Sequence, residues 1–524
     1  MYDSAQVYYK KKDFKKAAYF YDVYYIEQQK AESNYDTYYA AVAAAHVGNM
    51  DRAKYYLKRS AAIGYDLPSY NYFATDKDNA PLQALPEWKK FIGEFKHKAD
   101  SAQTILNKTI AILNDTTIRS TTAVLDNIDY WKSFSKRNSA EQLTNKIKEF
   151  NSYSTTKKDN FWTVYHIKAN DTLTIPFLVY IPQGYNPKEK TSLYVYLHGA
   201  VINRRNFANP AYIPDGLETA IMTKAVAQHA FIIYPLAKKD FGWLYQQQAF
   251  ETVLKEITYV KSRYNINDDK IYIGGHSNGG SGAFWFALNQ PSLFASFFGF
   301  NYLPKTYFGN TILKNLNNTR TFYGISGSED TTFPLVTVNS IYQYGISNGA
   351  NWKNFIRKGS HGLPFSSRDS INFIFDTLAT RSRDPFPKKI VWETDNIKNG
   401  RYAWLEIKEL DTLAAKAEWH QVLNPLVTQG GKTAEVNFNK NKSGAIIATT
   451  EGNTIKIESS RVRKIKLYLS TAMFNLNEKI KIIVNGKSYQ NAKLVADKNV
   501  ILEEFLKTKD RSFIVANTLE LTVN

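Results

Sequence analysis

The chain contains no cysteine. Disulfides, a thiol nucleophile and cysteine-ligated zinc are therefore excluded. It has no run of about 18 apolar residues, the length a transmembrane helix needs. Met1 leads straight into polar, helix-like sequence, without the apolar core of a signal peptide. Acidic residues are also scarce. Lys and Arg number 67 against 48 Asp and Glu, a net charge of +19. Such a surplus attracts anions at long range. Lysines are spread over every region rather than gathered in one patch, so nucleic acid is not the expected partner. An acidic polysaccharide or an anionic surface fits the charge equally well. Histidine is rare, at eight residues, and that scarcity becomes useful below.

What the chain does have is the composition of a folded protein. Hydrophobic residues make up 44% of 524 positions and charged residues 22%. At roughly 150 residues per domain the length suggests about three to four domains. Aromatics reach 15%, with 36 Tyr, which suits surfaces that face sugars.

Residues 1–95 read as helices. Tyr8, Phe14, Ala17, Ala18 and Tyr21 recur at spacings of three and four. Lys12-Asp13-Phe14, Ala17 and Tyr21 are echoed by Gly48-Asn49-Met50, Ala53 and Leu57, about 36 residues later. This pattern resembles a tetratricopeptide repeat, which implies paired helices and a surface for a protein partner. Residues 96–158 continue as a helical connector that ends in the polar stretch Asn151–Asn160.

From residue 159 to 384 short apolar strands alternate with helices. The strands are expected at Leu193–Leu197, Phe231–Tyr234, Ile271–Ile273, Ser296–Phe300, Thr321–Ile325 and Trp352–Arg357. The helices are expected at Gly216–His229, Tyr245–Tyr264, Gly280–Asn289, Leu335–Asn348 and Ser367–Ala379. Two further strands, Phe161–Ile167 and Leu173–Ile181, precede them. This alternation predicts an α/β fold, a doubly wound and mostly parallel sheet. Residues 385–524 read as an antiparallel β-sandwich, with Asn485-Gly486 as a two-residue hairpin turn.

The segment Gly275-His276-Ser277-Asn278-Gly279 lies between a strand and a helix. That is the context in which a serine is held out on a tight turn as a nucleophile. A hydroxyl needs a base to react at neutral pH. In this arrangement the acid and then the histidine follow the serine. Only His361 and His420 lie after Ser277, and His361 falls just past the last expected strand of the sheet. Between Ser277 and His361 the only acidic residues are Glu329 and Asp330. Both follow a strand, and the Gly327-x-x-Asp330 spacing with the following Thr331-Thr332-Phe333-Pro334 favours Asp330, with Glu329 as the alternative. The oxyanion donors are expected at the backbone of Asn278 and of Ala200, with Gly199 as the alternative to Ala200. His198 and His276 are read as structural, and Trp285 as core.

On these residues the region resembles an α/β-hydrolase of the secreted esterase type, which includes feruloyl and acetylxylan esterases and polyhydroxybutyrate depolymerase-like proteins. Tyr180-Ile181-Pro182-Gln183-Gly184-Tyr185 and Tyr194-Val195-Tyr196-Leu197-His198-Gly199 are similar to that group's opening strands. So are Tyr264-Asn265-Ile266-Asn267 before the elbow and Gln290-Pro291-Ser292-Leu293-Phe294-Ala295 after it. The resemblance implies ester hydrolysis through Ser277, His361 and Asp330, with acylated polysaccharide as the candidate substrate. It departs in the run Gly199-Ala200-Val201-Ile202-Asn203, where such esterases often carry more glycines. By the same analogy an exported, periplasmic or extracellular location is expected, with the leader absent from this sequence; the alternative is cytoplasmic. Substrate-facing residues are expected at Trp243, Tyr302 and Arg204 or Arg205, after strand ends.

Other motifs fail. Residues 184–191 carry Glu189 where a phosphate-binding loop needs glycine. No cofactor and no metal are expected, since no histidine pair has metal-ligand spacing. Two competing readings remain: a serine peptidase of the same fold, and a binding protein with a relic site.

Overall fold

The structure is a computed structural model that describes residues 2–27, 34–63, 67–114, 123–153, 162–201, 207, 219–318, 321–362, 368–429, 431–436 and 438–523. The chain forms two compact units, Met1–Ile112 and Leu113–Asn524.

The first unit is built from α1 (Tyr2–Lys10), α2 (Phe14–Glu27), α3 (Asn34–His46), α4 (Met50–Ile63), α5 (Leu67–Thr75), α6 (Ala80–Gln83) and α7 (Pro86–Asn114). Helix α1 packs on α2, and α3 on α4. The offset seen in the sequence is structural. Asp13 accepts from Lys16 N at 3.2 Å, and Asn49 accepts from Arg52 N at 3.2 Å. Each side chain thus satisfies a donor that the first turn of a helix leaves open. Ala17 and Ala53 are both fully buried, where a small side chain lets the paired helix come close. Among the described residues no helix is long and apolar enough to cross a membrane.

The second unit begins with α8 (Ile128–Arg137) and α9 (Ala140–Lys148). A sheet with interleaved helices follows: β1 (Trp162–Lys168), β2 (Thr174–Tyr180), β3 (Thr191–Leu197), α10 (Thr219–Ala227), β4 (Phe231–Pro235), α11 (Gln247–Arg263), β5 (Ile266–His276), α12 (Asn278–Asn289), β6 (Ser296–Phe300), β7 (Phe322–Gly327), α13 (Leu335–Ser347), β8 (Trp352–Arg357) and α14 (Arg368–Thr380). The strand order is β1-β2-β4-β3-β5-β6-β7-β8. Strands β3 to β8 run parallel, while β1 and β2 pair antiparallel at one edge. Side chains on a strand alternate between faces. Leu193, Val195 and Leu197 of β3 join the core under α11, α12 and α13. Tyr194 faces the other way, 5.3 Å from Phe375 of α14 between ring centroids. Both faces are thereby covered, as a parallel sheet requires.

The tail contains β9 (Lys389–Thr394), β10 (Arg401–Tyr402), β11 (Leu405–Leu410), β12 (Leu426–Gln429), β13 (Lys432–Glu435), β14 (Gly444–Glu451), β15 (Thr454–Ser460), β16 (Val462–Leu469), β17 (Lys479–Val484), β18 (Lys487–Lys493), α15 (Lys498–Thr508) and β19 (Asn517–Thr522). Two sheets, β10-β11-β16-β19 and β18-β17-β15-β14-β9, share a core around Trp392 and Trp404. The expectation of purely antiparallel pairing is corrected here, because β15 and β17 run parallel. Asn485 and Gly486 have φ of 48° and 78°, the left-handed pair that a tight hairpin turn needs.

Helix α15 was not anticipated. Its Ile501 and Phe505 pack on Trp131, Leu143 and Ile147 of α8 and α9. Arg511 fastens the same region to the start of β5. It donates to Asp268 at 3.0 Å, to Asn265 at 2.7 Å and to the Phe150 carbonyl at 3.0 Å. The β12–β13 hairpin is set apart from both tail sheets, and its Val427, with Phe438 just after it, joins the core of the large sheet.

Candidate active site

The site sits at the carboxyl ends of the parallel strands, where this kind of sheet places its ligands. Ser277 joins β5 to α12 with φ 56° and ψ −123°, a strained conformation for a residue with a side chain. The two flanking glycines explain how the turn is reached. A Cβ on Gly275 would lie 2.1 Å from the Leu197 carbonyl oxygen, and one on Gly279 would lie 1.8 Å from the same atom. Strand β3 therefore passes too close for any side chain at either position.

The hydroxyl of Ser277 lies 2.9 Å from Nε2 of His361. Nδ1 of His361 lies 2.8 Å from Oδ2 of Asp330. A carboxylate only accepts, so it fixes the proton on Nδ1 and leaves Nε2 free to accept from the serine. Asp330 is buried, and its other oxygen accepts from Thr332 N at 2.8 Å and Phe333 N at 2.9 Å. Glu329 is exposed beside it, and its backbone N–H donates to Gly359 O at 2.9 Å. His420 sits in the tail, buried, with Nδ1 2.9 Å from Ser460 Oγ.

The loop carrying His361 is held by two further side chains. Asn301 donates through Nδ2 to the carbonyls of Ser360, His361 and Gly362 at 3.3, 3.0 and 2.7 Å. Its Oδ1 accepts from Gly327 N at 2.8 Å, at the end of the strand that leads to Asp330. Asn301 has φ 43°, a left-handed conformation that asparagine tolerates better than most residues. His276 donates from Nε2 to the His361 carbonyl at 2.8 Å. Burial pushes His276 down to about 4, so it is neutral at physiological pH. The sequence reading missed Asn301. The signal available was a polar residue at the carboxyl end of the apolar strand Ser296–Phe300.

On the other side of Ser277 a cavity of about 80 Å³ is lined by residues that include Ala200, Lys238, Lys239, Trp243, Tyr245 and Asn278. Both expected oxyanion residues, Ala200 and Asn278, thus border one space. Asn278 opens α12, where backbone N–H groups and the helix dipole favour negative charge. His198 braces the wall. Its Nδ1–H donates to Gly199 O at 2.8 Å, and its Nε2 accepts from Ala237 N at 3.1 Å. Burial pushes it down to about 4. Trp243 donates to the His198 carbonyl at 3.0 Å and lines the cavity with its other atoms.

Tyr302 requires a correction as a substrate-facing residue. It is 1% exposed, and its hydroxyl accepts from Trp352 Nε1 at 3.1 Å. The left-handed turn at Asn301 sends it back beneath α12, against Gly280. Arg204 and Arg205 lie outside the described residues. Trp285 is buried and stacked on Phe250 at 3.7 Å. Among the described residues no group of His, Cys, Asp and Glu is placed to hold a metal ion.

Residues 173–303 match the family model described as putative esterase. The match spans β2 to β6 and includes Ser277. It supports ester hydrolysis as the activity of this region. Among solved structures, the chain is similar to a thermostable esterase, with 18% identity over 42% of this chain and 63% of that one, at a TM-score of 0.34. It is similar to an S-formylglutathione hydrolase from Agrobacterium tumefaciens, with 18% identity over 43% of this chain and 97% of that one, at a TM-score of 0.34. It is also similar to an acylaminoacyl peptidase from Pyrococcus horikoshii, with 15% identity over 44% of this chain and 43% of that one, at a TM-score of 0.34. The chain thus spans less than two thirds of the thermostable esterase and of the peptidase. No curated protein matches the chain.

Proposed function

We propose that the protein is a serine hydrolase that cleaves a carboxylic ester through an acyl-enzyme. The observation that carries this reading is the unbroken chain from Ser277 Oγ to His361 at 2.9 Å and on to Asp330 at 2.8 Å. Ser277 attacks the acyl carbon as His361 takes its proton. The negative oxygen that forms is stabilised by the N–H groups of Asn278 and Ala200. His361 returns the proton to the departing alcohol, and Asp330 keeps the imidazolium oriented. Water then repeats the sequence and frees the acid. We read the paired helices of residues 1–95 as tetratricopeptide-like, supported by the repeated caps at Asp13 and Asn49, and hence as a surface for a protein partner.

Hydrolysis of p-nitrophenyl acetate by the wild type and by Ser277→Ala tests the chemistry. Turnover in the wild type that falls by about 10⁴- to 10⁶-fold in the variant is expected. Equal rates in the two proteins would remove Ser277 as nucleophile.

A further inference from the structure

The two sides of Ser277 differ in what they offer a substrate. His361 and Asp330 follow β8 and β7, so they stand on one side of β5 in the sheet. The cavity is built from the loops after β3 and β4, on the other side. His361 must protonate the leaving alcohol, so the alcohol lies on the His361 side. The group that stays on Ser277 then points away, toward Ala200 and Asn278, which border the cavity.

The cavity is small. A hole of about 150 Å³ is what encloses a benzene ring. At about 80 Å³, and open to solvent on one side, this one suits a short chain. Its wall is apolar at Ala237, Trp243 and Leu244, yet Lys238 and Lys239 also line it. Among the described residues no carboxylate side chain lines it. Neither lysine has an ion-pair partner among the described residues. The Nζ of Lys238 instead rests 5.1 Å from the ring centre of Phe207.

The lysines are presented by a fixed turn. Lys238 and Phe241 exchange both backbone hydrogen bonds at 2.9 Å, and Gln246 bonds to the Asp240 carbonyl within the same loop. His198 ties the loop to the end of β3 through Ala237 N. Two consecutive lysines are thereby placed at the wall of a short, largely apolar slot, Lys238 half-buried and Lys239 exposed. A charge in such a place is satisfied by an anion on the ligand.

We propose that this cavity selects short acyl groups ending in an anion, so that the substrates are half-esters of small dicarboxylic acids. This rests on the ester-hydrolase reading. Ser277 Oγ bonds to the ester carbonyl carbon, the bond from that carbon to the alcohol oxygen breaks, and the alcohol leaves with the proton from His361. Water then displaces Ser277 Oγ, and the dicarboxylate departs as the serine regains its proton. The distal carboxylate stays on Lys238 and Lys239 throughout.

The test compares monoethyl succinate with diethyl succinate in a pH-stat. These probes differ in one charge at the far end of the acyl chain. The wild type is expected to favour the half-ester in kcat/KM by about tenfold or more. In the double variant Lys238→Gln/Lys239→Gln that preference collapses, chiefly through KM. Lys238→Arg/Lys239→Arg retains it. A wild type that favours the diester, or a preference that survives in the Gln variant, overturns the proposal.

Succinate binding to Ser277→Ala protein, followed by calorimetry, separates this proposal from the reading beneath it. Binding that requires the two lysines, in a protein whose wild type cleaves no ester, would keep the anion site and overturn the hydrolase. Cleavage of p-nitrophenyl acetate with no succinate binding and no half-ester preference would keep the hydrolase and overturn the anion site.

Discussion

The two flanks of Ser277 are built by different rules. At the elbow itself and on the flank of β6, β7 and β8, backbone crowding and hydrogen bonds fix every group. Gly275 and Gly279 touch the Leu197 carbonyl, Asn301 holds three carbonyls of the His361 loop, and Asp330 accepts from two backbone N–H groups as well as from His361. On the flank of β3 and β4, a braced frame of His198 and Trp243 carries side chains that face open space. There Lys239 and Tyr245 are exposed. Chemistry demands one geometry, and so the first flank leaves little freedom. Specificity depends on what a loop presents, and the second flank is free to vary.

One substitution type, placed at the elbow and on the cavity flank, sharpens that contrast. Gly279→Ala would set a Cβ 1.8 Å from a backbone oxygen of β3. Neither strand nor helix can move without displacing Ser277, and a misplacement of about 1 Å costs about 10²-fold in rate. We expect at least that loss on p-nitrophenyl acetate, with overpacking that destabilises by about 1–3 kcal/mol. Gly242→Ala on the cavity flank meets nothing closer than 3.7 Å. Its stability should stay within about 0.5 kcal/mol of wild type. Similar denaturant midpoints for the two variants would erase the difference between the elbow and the cavity flank.

A smaller effect is expected at Asn301. Asn301→Ala removes the donor shared by three carbonyls and the acceptor for Gly327 N. The His361 loop then loses its tie to the strand that leads to Asp330. We expect kcat to fall by about tenfold, since loosened positioning raises the barrier without touching bound substrate. KM should change less than about twofold, because uniform binding is untouched. A change in KM with kcat intact would place Asn301 in substrate contact instead.

The same contrast explains what could be read from the sequence. Strands Ser296–Phe300 and Trp352–Arg357 have the expected bounds; the first is an apolar run between turns, which leaves little choice. The elbow was legible because only glycine survives against Leu197. His361 and Asp330 emerged by elimination, which works only in a chain so poor in histidine and acid after Ser277. Tyr302 was misread by one residue. A large aromatic after a strand end looks like a pocket wall, but the left-handed Asn301 reverses the chain there. The lysines were invisible as a pair, since a basic chain gives each of them a bland reading. The parallel pairing of β15 with β17 and the docking of α15 on α8 and α9 rest on contacts between distant segments, and no local pattern encodes them.

The smallest effect probes both flanks at once, because each is braced by a neutral histidine. Burial pushes both His198 and His276 down to about 4, against about 6.5 when unfolded. Above pH 6.5 neither state binds the proton and the shift costs nothing. Between about pH 6.5 and pH 4 the unfolded chain binds protons that the folded one refuses. Stability therefore falls on acidification in that window, by up to about 1.4 kcal/mol per pH unit for each histidine. Asp510 belongs to a lower window. Burial raises it, but Arg383 and Lys261 more than offset this and leave it well below the usual carboxylate range. Its contribution is present above the unfolded carboxylate value and is lost only as the pH falls further. Chemical denaturation from pH 7 to pH 4.5 should show the histidine slope in the wild type. His198→Gln and His276→Gln should each flatten it by about half, at the cost of a weaker brace on one flank. A slope unchanged in both variants would mean that these imidazoles are not what makes the fold sensitive to acid.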